Sequence, residues 1–290
     1  MGGGLLNIQS VGKNDIIFTG DLTKTFFKVA YSKYSNFGLQ KFRIDYDGQR
    51  ELRPSEQSVF KFKIPRYADL LMDTYLVVTM PDIWSPIYAP VPDNNNTWAP
   101  YSFRWIDNLG SHMIKEVTIT CGSVTLHKFT GEYLAAMVER DFSEEKKQLF
   151  YSMSGNVKEL NDPANVNLRN NTYPNTYYTK SGTGSEPSIR GRNIFVPLNT
   201  WFTLNHKCAF PLVALQYNEL NIEVVLRPIQ EIFQVRDVFD SQYNFPYVRP
   251  DFNEARFQMY RFLQTPPSVL SGSEQFENKV NTWNADVHLL

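Results

Sequence analysis

Cysteine and histidine are scarce in this chain of 290 residues, which carries Cys121 and Cys208 and only His112, His127, His206 and His288. Two thiols far apart in sequence make no disulfide framework, and a domain with a sizeable core needs none. The expectation is two buried, reduced thiols, which fits assembly in a reducing cytoplasm. No His-x-His pair occurs, so the ligand spacing of a metal-dependent β-barrel enzyme is missing, and the reading has no metal, no cofactor and no catalytic residue. A Gly-x-Ser-x-Gly elbow and a phosphate-binding glycine loop are missing too. No stretch approaches the roughly 18 successive apolar residues of a membrane helix. The first residues show no basic region ahead of a long apolar core, so no secretory signal is read. Leu6 stands where a myristoylation pattern wants Ser or Thr. Charge of one sign is also lacking: 29 Lys and Arg face 30 Asp and Glu, a net charge of -1. Nothing global would neutralise phosphates, which argues against nucleic acid as a specific partner.

Aromatic residues are abundant instead, 14% of the chain with 21 Phe and 16 Tyr, in a sequence that is 42% hydrophobic and 20% charged. That balance supports a real core and leans towards β structure. Strand-like runs are read at 15–19, 25–34, 40–46, 57–65, 73–80, 193–197, 200–205 and 219–227, with a hairpin over 113–129 turning at Cys121-Gly122. Phe60, Phe62 and Ile64 alternate with Lys61 and Lys63, the pattern of a strand with one wet face. An apolar stripe of Tyr133, Leu134, Met137 and Val138 predicts a helix over 131–151. Two long polar loops, 81–103 and 152–192, interrupt the strands. About ten strand runs with one or two short helices predict an all-β antiparallel sandwich or barrel.

Several ordered blocks resemble the major capsid proteins of nucleocytoplasmic large DNA viruses. These are the Gly-rich start with an apolar arm, Thr25 to Lys28 with Tyr31 and Asn36-Phe37, and Ile106-Asp107 with Gly110. Gly131-Glu132 follows, then Phe210-Pro211-Leu212, Ala214-Leu215, Tyr217-Asn218-Glu219 and Ile222. The resemblance implies a double jelly roll, with three chains in a homotrimer of pseudo-hexagonal outline that packs against neighbouring capsomers. It further implies minor capsid proteins under the shell, an inner virion membrane as a further partner, and a place in the virion after assembly in the host cytoplasm. On that basis residues 1–20 are an arm, 21–228 the first jelly roll, and 229–290 a linker plus the first strand of an incomplete second jelly roll. A lone first strand would expose an apolar edge, so the chain is read as the amino-terminal portion of a longer or split protein. A single jelly-roll minor capsid protein and a carbohydrate-binding spike are the alternatives.

Candidate residues belong to surfaces. The arm residues Gly2, Gly3, Gly4, Leu5, Leu6 and Ile8 are candidates for contacts outside the subunit. Trp84 and Trp98 in the Pro-rich loop either anchor an interface or pack the loop onto its own sandwich. Asn95 and Asn170 each open an Asn-Asn-Thr sequon in a long loop and are the candidate glycan acceptors. Asp45 and Asp47 flank Gly48, where turn formation explains them without a metal. His127 reads as an ordinary packed or surface histidine. The mildly basic set Lys24, Lys28, Lys33, Lys41 and Arg43 reads as a solvated face, with genome or lipid inside a particle as the alternative.

Overall fold

The alternation at Ser58–Ile64 becomes a strand with one buried and one wet face in the computed structural model. The structure describes residues 36–48, 51–88, 99–176, 186–266, 279–283 and 285–290. Residues 42–290 form one compact unit, and of the segment before it only 36–41 are described. Within that unit the principal strands are β1 (Ile44–Asp45), β2 (Ser58–Ile64), β3 (Tyr75–Thr79), β4 (Ile114–Cys121), β5 (Val124–Thr130), β6 (Asn193–Pro197), β7 (Leu220–Leu226) and β8 (Val287–Leu289). They pair into two four-stranded sheets, ordered β1-β8-β3-β6 and β2-β7-β4-β5. Every neighbouring pair is antiparallel. Only the β4–β5 hairpin stays within one sheet, and every other connection crosses to the opposite one. That interleaving makes an eight-stranded antiparallel jelly roll.

The core follows from which face each strand turns inward. Phe60, Phe62 and Ile64 on β2 meet Leu220, Ile222, Val224 and Leu226 on β7, with Val117 and Ile119 on β4. Across from them lie Leu76 and Val78 on β3, Ile194 and Val196 on β6, and Val287 and Leu289 on β8. On the wet face of the second sheet Lys61 pairs with Glu223 at 3.3 Å, Lys128 with Glu116 at 2.8 Å, and Lys63 with Glu219. These exposed pairs contribute little stability each, but they satisfy a charged face that cannot turn inward.

Among the described residues there are five α-helical segments, where one or two were expected: α1 (Leu109–Met113), α2 (Gly131–Asp141), α3 (Glu144–Ser154), α4 (Lys158–Asn161) and α5 (Tyr260–Leu263). The helix expected over 131–151 is two helices. Thr130 caps α2 by accepting from the Tyr133 N–H at 3.3 Å. Phe142 and Ser143 are then extended, and α3 opens with Glu144 and Glu145 in its first turn, where the helix dipole favours them. Gly155, at φ 81°, ends it in the left-handed conformation.

Three further expectations differ from the structure. Residues 200–205 form a turn and not a strand: the Thr203 hydroxyl accepts from the Thr200 N–H and donates to the Leu198 carbonyl, drawing the chain back on itself. The segment after Pro228 is more than a linker, because Phe233–Arg236 pairs with Phe103–Trp105 and with Tyr247–Val248 in a small third sheet. Val287–Leu289 joins the first sandwich and does not open a second one. It lies between β1 and β3, with Leu289 opposite Ile44 and Leu76. Its three residues, His288 included, are all buried, so the run has no wet face to mark which sheet receives it. The runs expected at 15–19 and 25–34 lie outside the described residues.

Candidate functional site

Topology sorts the loops to two ends of the sandwich. The β2–β3, β4–β5 and β6–β7 connections share one end, and the β1–β2, β3–β4, β5–β6 and β7–β8 connections share the other. The second group contains both long loops singled out in the sequence.

At the long-loop end the connections are tied to one another. The β3–β4 and β5–β6 connections meet where Ile83 and Ile189 exchange backbone hydrogen bonds. Tyr173 provides a second tie. Its hydroxyl donates to the Phe103 carbonyl at 2.8 Å, accepts from the Phe103 N–H at 3.1 Å and lies 3.0 Å from the Ser85 hydroxyl. Enclosure of that hydroxyl pushes its pKa well above the ordinary tyrosine range, against the opposing pull of Ser85 and Phe103. The β7–β8 connection joins through the third sheet, where Arg104 lies 4.0 Å over the Tyr247 ring and donates to Gln234. Phe103 stacks on Phe233 at 4.6 Å, and Trp105 meets Trp283 at 5.8 Å. An apolar void of about 10 Å³ remains between Phe103, Ile229, Phe262 and Trp283. It is too small and dry to hold a ligand.

The opposite end is built by the Phe210–Ile222 block. Phe210 and Pro211 pair with Leu71 and Leu70 of the β2–β3 connection. Arg66 donates to the Leu215 and Gln216 carbonyls. Asn218 lies against Gly122 of the β4–β5 turn, whose N–H donates to the Glu219 carbonyl at 2.9 Å. Apolar side chains stay outside this scaffold: Tyr217 is 95% exposed, Val213 64% and Leu70 55%, with Tyr67, Val124, Trp201 and Leu204 also exposed. Isolated exposed apolar residues need no explanation, but a group on two joined connections and the first residue of β5 makes this end a candidate interaction surface.

Two other blocks of the sequence serve close packing. A Cβ on Gly131 would come 1.9 Å from the Ser111 carbonyl oxygen and 2.3 Å from that of Ile114. One on Gly110 would meet the Ser154 oxygen at 2.6 Å. Only glycine lets α1, α2 and α3 approach there. Asp107 accepts from Asn161 at 2.8 Å, and Glu132 pairs with Arg227.

Trp84 is half-buried with its indole nitrogen enclosed, and its backbone N–H donates to the Phe262 carbonyl. That placement fits loop packing better than an exposed anchor. Asn170 is exposed, and the Thr172 hydroxyl donates to its carbonyl at 3.0 Å. Gly2, Gly3, Gly4, Leu5, Leu6, Ile8, Asn95 and Trp98 lie outside the described residues. Cys208 is exposed and Cys121 half-buried, both free, so the expectation of two buried thiols does not hold. Cys208 ends a one-turn 3₁₀ helix on the β6–β7 connection. His127 packs beside Phe129 and edge-on to Trp201, and burial lowers its pKa. Among the described residues no group of His, Cys, Asp and Glu could hold a metal ion, and no helix is long and apolar enough to cross a membrane.

Sequence reasoning missed one polar cluster, on the first sheet. Arg43 donates to both oxygens of Asp286, at 2.6 and 2.9 Å, and to Asp45 at 2.8 Å. His288 sits beside them, 7% exposed, with Nδ1 3.5 Å from Asp286. The partners are 243 residues apart in the chain, so no local signal could have revealed the pairing.

Comparison with known proteins bears on the whole arrangement. A family model described as the major capsid protein N-terminus matches residues 25–251. The major capsid protein of Chrysochromulina ericina virus is 28% identical over 267 residues, covering 83% of this chain and 44% of that protein. Capsid protein 1 of Acanthamoeba polyphaga mimivirus is 27% identical over 243 residues, covering 83% of this chain and 37% of that protein. The solved Faustovirus major capsid protein shares the fold with a TM-score of 0.50 at 16% identity, over 81% of this chain and 52% of that one. The chain therefore spans less than half the length of these two curated relatives.

Proposed function

We propose, from the premise that this chain belongs to the major capsid protein family, that it is a structural protein of the icosahedral shell of a large DNA virus. The observation that carries the reading is the β1-β8-β3-β6 and β2-β7-β4-β5 order, with the three longest connections gathered at one end. A jelly roll so arranged is a rigid block whose variable parts face one way, as a shell subunit requires. In this reading the long-loop end faces outward and carries the glycan candidates Asn95 and Asn170. The end bearing Tyr217 and Val213 faces minor capsid proteins and the inner membrane, and the arm residues Gly2 to Ile8 supply contacts outside the subunit. Three copies close into a trimer by heterologous contacts, of a kind that buries on the order of 2,000 Å² or more. The protein has no catalytic role in this reading, and assembly takes place in the host cytoplasm.

Mass photometry with elemental analysis tests it. The expected result is particles of three times the 33.6 kDa chain mass, larger assemblies at higher concentration, and no stoichiometric metal. A protein that stays monomeric at all concentrations, or that carries one metal ion per chain, overturns the reading.

A further inference from the structure

We propose that His288, Asp286 and Arg43 form an acid-sensitive clamp that holds β1 to β8 at neutral pH and loosens it on acidification. The clamp is independent of the capsid reading.

β1 is only two residues long, and among the described strands it pairs within the first sheet with β8 alone. Its backbone pairing therefore needs help. The help is the Arg43 guanidinium, which reaches from the residue before β1 to the Asp286 carboxylate just before β8, in a two-pronged contact. One oxygen of that carboxylate, Oδ2, is shared geometrically: it lies 2.9 Å from Arg43 Nη1 and 3.5 Å from His288 Nδ1. Nδ1 of His288 comes no closer than 3.5 Å to Oδ2, while Arg43 holds both oxygens of Asp286 at shorter range.

A proton on His288 changes the partition. The imidazolium attracts Oδ2 of Asp286 and repels the Arg43 guanidinium, so the carboxylate moves from a contact between strands to one within β8. The charged groups facing His288 among the described residues are Asp45 and Arg43 on the β1 side and Asp286 on its own segment, while β3 presents Val77 opposite it. The two carboxylates favour the proton, whereas burial and Arg43 oppose it. Burial is the largest effect, and the pKa of His288 lies below the ordinary histidine value. Asp286 is held below the usual carboxylate range by its hydrogen bond from Arg43, so it stays ionised while His288 titrates. Because the folded state disfavours the proton, the stability linked to His288 is fully present above about pH 6.5. It is lost as pH falls through the lower folded value.

His127, on β5 of the other sheet, also titrates low, so global unfolding alone does not isolate the clamp. The experiment is therefore amide hydrogen exchange at Ile44 and its cross-strand partner Leu289, between about pH 7.5 and 5, corrected for the intrinsic pH dependence of exchange. Wild type and His288→Gln are compared, with an NMR titration of His288 in wild type alongside. The expected result is a several-fold loss of protection at β1 in wild type on acidification and a flat profile in His288→Gln. Equal loss in both proteins overturns the proposal. So does a His288 pKa at or above the ordinary histidine value, which wild type alone can show if the variant fails to fold.

Discussion

At the residue scale, single polar atoms join parts of the chain that the sequence keeps far apart. Tyr173 was one tyrosine among 16, in a loop read only as long and polar. In the structure its hydroxyl satisfies both the N–H and the carbonyl of Phe103. Tyr173→Phe keeps the ring and removes that partner, leaving an enclosed N–H unpaired, a cost of about 1–3 kcal/mol. Chemical denaturation should show this as a lower midpoint with an unchanged slope. A midpoint equal to that of wild type would mean that water replaces the hydroxyl. Gly110 and Gly131 were visible in the sequence as parts of a pattern, but their purpose, letting three helices touch, required the backbone positions.

At the scale of elements, alternation was a dependable guide and uniform hydrophobicity was not. β2 and β7 each turn every second residue inward, and both were legible because a wet face leaves charged residues in the sequence. β3 and β8 are buried through their centres, so neither shows alternation to indicate a partner. β8 could be recognised as a strand but not assigned to a sheet. Its contribution to the sandwich can be tested: Leu289 is fully buried between β1 and β3. Leu289→Ala should therefore cost about 2–5 kcal/mol, read by urea unfolding. Such a loss is a large part of the total stability of a typical domain. A loss below about 1 kcal/mol would show that β8 is dispensable to the sandwich.

At the scale of the whole molecule, the two ends of the sandwich differ in a way that assembly would use. The long connections are locked together by Tyr173, the third sheet and the Trp105–Trp283 contact. The connections of the opposite end leave Tyr217 and Val213 exposed on a scaffold held by backbone hydrogen bonds. The paired change Val213→Asp with Tyr217→Asp should leave stability within about 0.5 kcal/mol of wild type, because neither side chain is part of the core. The same change should suppress association in light scattering at high concentration. Unaltered assembly would remove this end from the set of contact surfaces.

The sequence by itself determined the class of fold, the family resemblance, and the faces of strands that have one wet side, because these rest on composition and on patterns local to a few residues. Only the tertiary structure decided that β8 closes the first sheet, that the segment after Pro228 builds onto the β3–β4 connection, and that Arg43 meets Asp286 beside a buried histidine. Each of these depends on pairing between segments separated by more than a hundred residues. Short-range pattern carries no record of such partners, since an apolar strand or a charged side chain looks the same in sequence whichever neighbour eventually satisfies it.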